Sequence, residues 1–263
     1  MTILQSLIMG IVEGITEFLP ISSTAHLIIT SKLLAIPESE FLKTFEISIQ
    51  FGAILSVVVL YWKRVWRNLS IIWKLVAAFI PTSLIGFAMY KIIKNFLMES
   101  LLVIGCSLLI GGILLIIFEK WHVNKNKKTS AESEVIELEK ISYRQAVLLG
   151  LAQSFAVVPG VSRSAATIIG GLSLGINRKT IVEFSFLLAI PTMIAATGYD
   201  LYKNPATFSG DQLSIWLIGF VTSFITAIIG IKFLIKYIQK NDFKAFGWYR
   251  IIVGAIVLAT LFL

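Results

Sequence analysis

The sequence predicts an all-α integral membrane protein, built as an inverted-topology repeat with two re-entrant helical hairpins and about six full transmembrane helices. Its composition, six long apolar runs and two similar interrupted runs support this fold class. Of the 263 residues, 57% are apolar and only 14% are charged, whereas about 25% are charged in an ordinary soluble domain. With a mean hydropathy of +0.86, this composition excludes a secreted disulfide scaffold, a disordered chain and an ordinary cytosolic enzyme.

The charge of the chain fits a membrane protein better than a nucleic-acid-binding protein. The net charge is +8, but most Lys and Arg residues lie in short clusters between apolar runs, where membrane topology is specified. We therefore expect no nucleic-acid partner. The single cysteine, Cys106, excludes an internal disulfide and is expected to be a small buried hydrophobe within its apolar run.

Six apolar runs, with their flanking residues, reach the length of about 20 residues that a helix needs to cross the hydrocarbon. They are Phe41–Trp62, Ile71–Tyr90, Leu101–Phe118, Thr180–Tyr199, Ile215–Ile235 and Phe246–Leu263.

Two other apolar stretches, Ile3–Leu34 and Tyr143–Leu174, are interrupted at Pro20 and Pro159. In each break the proline ends one helix and a following serine can cap the next. A single Pro-kinked helix is the alternative, but roughly 32 residues is long for one span. We therefore predict two re-entrant helix–turn–helix hairpins, whose irregular backbone must be enclosed by protein or a wet cavity.

The two interrupted stretches resemble each other when the sequence is shifted by 140 residues. The matched pairs are Gln5 with Gln145, Gly10 with Gly150, Glu13 with Gln153, Ser22 with Ser162, Ala25 with Ala165, Ile28-Ile29 with Ile168-Ile169, and Thr82-Ser83 with Thr222-Ser223. One shift that serves across both halves indicates a duplication. The predicted units are a first repeat at 1–120, a polar cytoplasmic linker at 121–140 and a second repeat at 141–263.

Each repeat then holds one hairpin and three spans, and because three is odd, the second repeat must be inverted relative to the first. The positive-inside rule tests this topology. With the N-terminus outside, the inward segments carry 17 Lys and Arg residues and the outward segments carry 5, with Arg163 in the second break outside both groups. The inward group includes Arg250 at the start of the last apolar run.

The first break is surrounded by ionisable and hydroxyl side chains, which are costly in a membrane and so point to function. Glu13 and Glu17 lie four residues apart on one helical face, where carboxylates suit Mg²⁺ or Ca²⁺; the alternative is a pair that faces water. Ser23 and His26 can share a face and together suit nucleophilic or acid–base chemistry. Ser22 is alternatively only a helix cap, and His26 only a core histidine.

The second break supplies Ser162, Arg163 and Ser164, with Thr167 one turn later. A guanidinium, serine hydroxyls and the amides of a helix N-terminus form a good phosphate cradle. The alternative is a salt bridge from Arg163 to Glu13 or Glu17, which is compatible with phosphate binding. If the inverted hairpins meet near the middle of the membrane, the combined groups describe phosphoryl transfer or hydrolysis.

Residues 13–27 (EGITEFLPISSTAHL) and 159–167 (PGVSRSAAT) resemble the two signature motifs of the undecaprenyl-diphosphate phosphatases of the bacitracin-resistance family. The resemblance runs nearly end to end and includes residues 50–55 (QFGAIL); Ala25 departs from the glycine of many members. It implies an inverted repeat in the bacterial plasma membrane, with a site that opens outward and uses a divalent cation. It also implies removal of the terminal phosphate of a C55 polyprenyl diphosphate, which recycles the lipid carrier of cell-wall precursors.

The resemblance also assigns roles to residues. The motif glutamates correspond to Glu13 and Glu17, the serine and histidine to Ser23 and His26, and the basic residue to Arg163. We prefer Ser23 as nucleophile, with His26 as base or leaving-group acid, and leave His26 open as the alternative nucleophile. The hydroxyls expected around the phosphate are those of Ser22, Thr24, Ser162, Ser164 and Thr167. The expected partners are the polyprenyl diphosphate and membrane lipids, with a homodimer left open.

Transport is the rival function, because broken helices in inverted repeats are also a transporter architecture. A transporter or flippase would move its substrate across liposomes without hydrolysis. The Ser, His and Arg side chains at the two breaks are more than simple transport requires, and they favour the enzyme.

Overall fold

The structure is a computed structural model that describes residues 1–92, 100–128, 137–203 and 210–261, and the regular elements within these ranges are all helical. The helices are α1 (Ile3–Thr16), α2 (Ser23–Leu33), α3 (Glu40–Arg67), α4 (Leu69–Ile92), α5 (Leu101–Lys128), α6 (Tyr143–Ser154), α7 (Arg163–Ser173), α8 (Arg178–Lys203), α9 (Gly210–Tyr237) and α10 (Lys244–Ala259). Short 3₁₀ turns at Leu138–Lys140 and Phe155–Val157 lie before and after α6.

Among the described helices, α3, α4, α5, α8 and α9 are long and apolar enough to cross a membrane. The outer surfaces of these helices carry large apolar side chains, including Phe87 at 76% exposure and Ile117 at 58%, as expected where lipid replaces water. The chain is therefore a multi-pass membrane protein. The sixth predicted span contains α10, which has 16 residues, fewer than the roughly 20 of a full crossing; residues 262–263 of that prediction lie outside the described residues.

Each half of the chain begins with a helical hairpin, and the two hairpins share their local geometry. Helix α1 packs on α2, and α6 packs on α7. Gln5 and Gln145 each complete a capping box at the start of the leading helix. Each of these amides also reaches the end of its hairpin: Gln5 Nε2 donates to the Leu34 carbonyl at 3.0 Å, and Gln145 Nε2 to that of Leu174 at 3.5 Å. The 140-residue shift thus relates hydrogen bonds as well as residue types.

The turn of each hairpin ends at a serine with a positive φ, 72° at Ser22 and 74° at Ser162. A non-glycine residue in this region costs about 1–3 kcal/mol and persists only where its surroundings fix it. Each serine hydroxyl accepts the backbone N–H three residues ahead, at 3.4 Å and 3.3 Å respectively. The two strained caps place Ser23 and Arg163 at the equivalent first positions of α2 and α7.

Helices from the first half of the chain pack against helices from the second half. Helix α1 packs on α9 and α6 on α4, while α3 meets α8 and α5 meets α10. These contacts are close because small residues line them: a Cβ at Gly10 would lie 2.6 Å from the Gly219 carbonyl oxygen, and one at Gly247 would lie 2.9 Å from that of Gly112. Each hairpin is therefore positioned by the opposite half of the chain.

Ion pairs join the polar ends of several helices. The fully buried carboxylate of Glu119 accepts Arg178 Nη2 at 3.0 Å and the Phe243 backbone N–H at 3.2 Å. Arg64 Nη1 donates to Glu183 Oε2 at 2.7 Å. Helix α5 continues to Lys128, within the predicted linker, and residues 129–136 of that linker lie outside the described residues.

The close packing of α1 on α9 leaves no room for an added methyl group, so a substitution there should lower the stability of the protein. Gly10→Ala should lower the free energy of unfolding by about 1–3 kcal/mol, because the added methyl overpacks the contact with Gly219. Gly198→Ala on α8 is the matched control, since a Cβ there meets nothing within 4 Å, and it should be neutral or slightly stabilising through its higher helix propensity. Thermal unfolding in detergent measures both; equal stability of the two variants would contradict the packing argument.

Candidate active site

The two hairpin turns meet around one carboxylate, that of Glu17. Arg163 Nη2 lies 3.1 Å from Glu17 Oε1, with the two side chains 13% and 6% exposed. The hydroxyl of Ser23 donates a short hydrogen bond to the other oxygen, Oε2. The structure thus brings together Glu17, Ser23 and Arg163 from the two breaks, and a serine hydroxyl bonded to a buried carboxylate is arranged for deprotonation.

The Ser185 carbonyl of α8 holds Arg163 from a second direction, and the residues after Glu17 and Ser185 form a buried aromatic pair. Arg163 Nη1 donates to the Ser185 carbonyl at 2.9 Å, so both arms of the guanidinium are held. Phe18 and Phe186 follow Glu17 and Ser185 in the chain and pack edge to face, with ring centroids 5.1 Å apart. Arg163 therefore donates to a carboxylate and to a carbonyl of the protein, and these two contacts fix the orientation of its guanidinium without a ligand.

Glu13 lies one turn before Glu17, fully buried, and neither of its carboxylate oxygens has a hydrogen-bond partner among the described residues. In its counterpart in the other half, Gln153, the amide nitrogen Nε2 donates to the hydroxyls of Thr82 and Thr192 at 3.3 Å and 3.2 Å, while Oε1 has no partner among the described residues. A buried carboxylate without a partner is costly unless a proton or cation accompanies it. The described part of the chain has no group of three or more metal-ligating side chains, so a cation at Glu13 needs further oxygen ligands.

His26 lies beside this group but is bonded elsewhere. Its Nδ1 is 2.7 Å from the Ser22 carbonyl oxygen, and its Nε2 is 2.8 Å from the Tyr249 hydroxyl. The two rings stack at 5.5 Å with an interplanar angle of 7°. The expected contact between Ser23 and His26 is replaced by the bond from Ser23 to Glu17, because the imidazole turns toward α10.

The hydroxyls predicted to surround a phosphate are partly engaged by the protein itself. Ser22 and Ser162 cap α2 and α7. Ser164 Oγ lies 3.3 Å from Ser162 Oγ and donates to the Leu19 carbonyl at 2.9 Å, which joins the two turns. Thr167 Oγ1 donates to the Arg163 carbonyl at 2.9 Å, and the half-buried Thr24 follows Ser23 at the start of α2.

Arg250 of α10 binds both turns at once. Its guanidinium donates to four backbone carbonyls at 2.9–3.2 Å, those of Pro20, Ser107, Gly160 and Val161. The residue is 1% exposed, and a Cβ at Gly111 would collide with its Nη2. Pro20 and Gly160 are equivalent under the 140-residue shift, so one side chain holds the matching points of both hairpins.

Arg250, Tyr249 and Ser185 were not predicted from the sequence to belong to the site. Arg250 is assigned to the inward-facing charges by its position in the chain, whereas the structure buries it at the hairpin turns; without it the positive-inside comparison stands at 16 against 5. The signal was available, because an arginine within an apolar run points to function by the rule that singled out Arg163. Tyr249 and Ser185 carry no comparable signal, since their roles depend on contacts between distant helices.

The sequence profile of the family described as "Bacitracin resistance protein BacA" matches residues 6–256. The chain belongs to this family. Several relatives match it over almost their whole length and are named undecaprenyl-diphosphatase. Those of Aquifex aeolicus and Wolinella succinogenes are 51% and 48% identical over 259 and 258 residues, with 98% of both chains covered in each case. That of Bdellovibrio bacteriovorus is 46% identical over 265 residues, covering all of this chain and 97% of the relative.

In this BacA-family protein, Arg250→Met should destabilise the fold by roughly 3 kcal/mol or more, because several buried carbonyls lose their donors at once. Arg250→Lys should lie between Met and the native residue, since one ammonium has three donors for four carbonyls. Arg144→Met, at an exposed position of α6, is the control and should leave thermal unfolding in detergent unchanged. If Arg250→Met unfolds at the same temperature as the control, the bridging role is wrong.

Proposed function

We propose that the protein hydrolyses undecaprenyl diphosphate to undecaprenyl phosphate and inorganic phosphate, and so recycles the lipid carrier for cell-wall synthesis and confers bacitracin resistance. The names of relatives at 46–51% identity over nearly full length support this substrate. The observation that carries the proposal is the shared carboxylate, in which Glu17 accepts the Ser23 hydroxyl on one oxygen and Arg163 on the other.

Ser23 is the nucleophile in this proposal. Its oxygen attacks the terminal phosphorus as Glu17 takes its proton, and the bond from that phosphorus to the bridging oxygen breaks, which releases undecaprenyl phosphate. Water then attacks the phosphoserine, Glu17 returns its proton to the Ser23 oxygen, and the proton of the water passes to solvent as inorganic phosphate leaves. Glu17 serves as the base because it touches Ser23, whereas His26 is hydrogen-bonded to Ser22 and Tyr249.

Arg163 stabilises the charge that accumulates on the transferred phosphate. Its guanidinium stands at the first position of α7, where backbone N–H groups of the first turn add to the attraction for an anion. The first turn of α2, with Ser23 and Thr24, offers the same kind of donors. In phosphoryl transfer, such positioning and charge neutralisation supply most of the catalysis.

Glu13 and Glu17 would hold a divalent cation, Mg²⁺ or Ca²⁺. The two unpartnered oxygens of buried Glu13 fit a hard cation, which binds carboxylate oxygens and completes its shell with phosphate or water. When bound, the cation supplies positive charge to the diphosphate oxygens. Glu17 is already shared by Ser23 and Arg163, so Glu13 contributes the free carboxylate of the pair.

We further propose that both hairpins are re-entrant and that the site opens to the outer face of the plasma membrane. The excess of Lys and Arg on the segments assigned to the inside supports this orientation. The enclosure of both turns supports the re-entrant hairpins, since irregular backbone at membrane depth must be satisfied by protein. Arg250 satisfies the carbonyls of Pro20, Gly160 and Val161 in this way.

Substitutions at the shared carboxylate test the mechanism. Ser23→Ala, Glu17→Gln and Arg163→Met should each lower phosphate release from C55 diphosphate by about 100-fold or more, as expected for loss of nucleophile, base or charge stabiliser. Ser173→Ala is the control, because its exposed hydroxyl donates to the Ile169 carbonyl of its own helix at 2.8 Å, away from the shared carboxylate. Phosphate release by purified, folded protein measures the effect, and near-native activity of Ser23→Ala would exclude Ser23 as nucleophile.

Removal of the cation tests the role of Glu13. A chelator should abolish phosphate release, and added Mg²⁺ or Ca²⁺ should restore it. Glu13→Gln should need at least about tenfold more cation for half-maximal activity, because a neutral amide binds a hard cation less well than a carboxylate does. Glu38→Gln, whose side chain is 65% exposed, should match the native protein. Cation-independent activity would contradict the proposed metal site.

A further inference from the structure

Tyr249 contacts a residue of the candidate site and has no role in the mechanism described so far. Its hydroxyl is 2.8 Å from His26 Nε2, and its ring stacks on the imidazole. The two residues are 223 positions apart in the chain, so the contact exists only in the folded protein. Tyr249 itself is 42% exposed, which means that burial of its ring does not explain why it lies there.

The partners of His26 determine which of its nitrogens carries the hydrogen. The Ser22 carbonyl can only accept a hydrogen bond, so the Nδ1 that lies 2.7 Å from it is the protonated nitrogen. In the neutral ring, Nε2 then has a free lone pair and accepts the Tyr249 hydroxyl hydrogen. If Nε2 gains a proton, the same hydroxyl can rotate and accept it. Tyr249 can therefore pair with His26 in both protonation states.

The position of Tyr249 is tied to the hairpin turns. The next residue, Arg250, is fixed by the carbonyls of Pro20 and Gly160, so α10 cannot turn or slide without breaking those bonds. His26 is fixed from the other side by Ser22, the strained cap of α2. Helix α10 and the start of α2 are thus both anchored, and they hold the Tyr249 hydroxyl within hydrogen-bond distance of the His26 imidazole.

We propose that Tyr249 is a positioning residue that fixes the orientation of His26, whose tautomer the Ser22 carbonyl sets, beside the transferred phosphate. The proposal rests on the hydrolysis proposed above for its kinetic consequence only, since the hydrogen bond itself is measurable without substrate. In that reaction the imidazole lies one turn after Ser23, and the hydroxyl of Tyr249 holds it in one orientation there by occupying Nε2, which keeps that nitrogen from binding the backbone or a water instead.

Nitrogen-15 spectroscopy of histidine tests the contact directly. The chain has 2 histidines, so His122→Gln leaves a single labelled imidazole. Its spectrum should show a protonated Nδ1 and an unprotonated, hydrogen-bonded Nε2, and Tyr249→Phe should shift the Nε2 resonance toward that of a free acceptor. Tyr143→Phe, at an exposed ring of α6, should leave it unchanged. An Nε2 resonance that is the same in the Tyr249→Phe and Tyr143→Phe proteins would overturn the proposal.

Steady-state kinetics of phosphate release test whether the positioning of His26 by Tyr249 affects the reaction. Tyr249→Phe should lower kcat about tenfold, the scale of one lost hydrogen bond, with KM within about twofold of native and with unchanged thermal unfolding. In a His26→Gln background the same substitution should have no further effect, because the group that it positions is gone. Equal kcat in Tyr249→Phe and native protein, or additive losses in the double variant, would refute positioning. Absence of phosphate release by the native protein would instead refute the proposed function and leave the spectroscopic test intact.

Discussion

The buried guanidinium of Arg250 joins the two halves of the protein at the two hairpin turns, where the helical hairpin of each half changes direction. Arg250 donates to four carbonyls, two of which are the matching positions Pro20 and Gly160 of the two hairpins. A buried charge without a carboxylate partner is costly, and so are turn carbonyls without donors in a membrane. The Arg250 guanidinium and the turn carbonyls supply each other with hydrogen-bond partners. The positions of Glu17, Ser23 and Arg163 depend on this contact.

The two halves of the chain form hairpins with the same local geometry but contribute to one composite site. Ser23 and Arg163 occupy the same position in the two repeats, each directly after a serine with positive φ, and both bind the same carboxylate. Glu13 corresponds to Gln153, whose amide nitrogen donates to two threonine hydroxyls, whereas neither oxygen of Glu13 has a partner among the described residues. From equivalent positions, the first half of the chain thus contributes a serine hydroxyl to Glu17 and the second half an arginine guanidinium.

Enclosure of this site changes the strength of its interactions. Ionic and hydrogen-bonding contacts act more strongly where water is excluded and the local dielectric constant is low. The Glu17 and Arg163 side chains are 6% and 13% exposed, and Phe18, the residue after Glu17, is buried and packs edge to face on Phe186. A charged lipid headgroup that enters such a site replaces its water with donors that are already oriented.

The sequence by itself determined the membrane class and the helical architecture with its two interrupted apolar stretches, because composition, apolar run length and proline position act locally along the chain. The family followed from the resemblance of the two motifs at residues 13–27 and 159–167. The sequence also offered a salt bridge from Arg163 to Glu13 or Glu17 as the alternative to phosphate binding, since an intramembrane charge demands a partner, and the structure forms this bridge with Glu17. Only the tertiary structure decided that Ser23 binds Glu17, that His26 turns to Tyr249, and that Arg250 bridges the turns. These choices depend on contacts between residues as many as 230 positions apart, and no local periodicity encodes the direction in which a side chain turns once several partners are within reach.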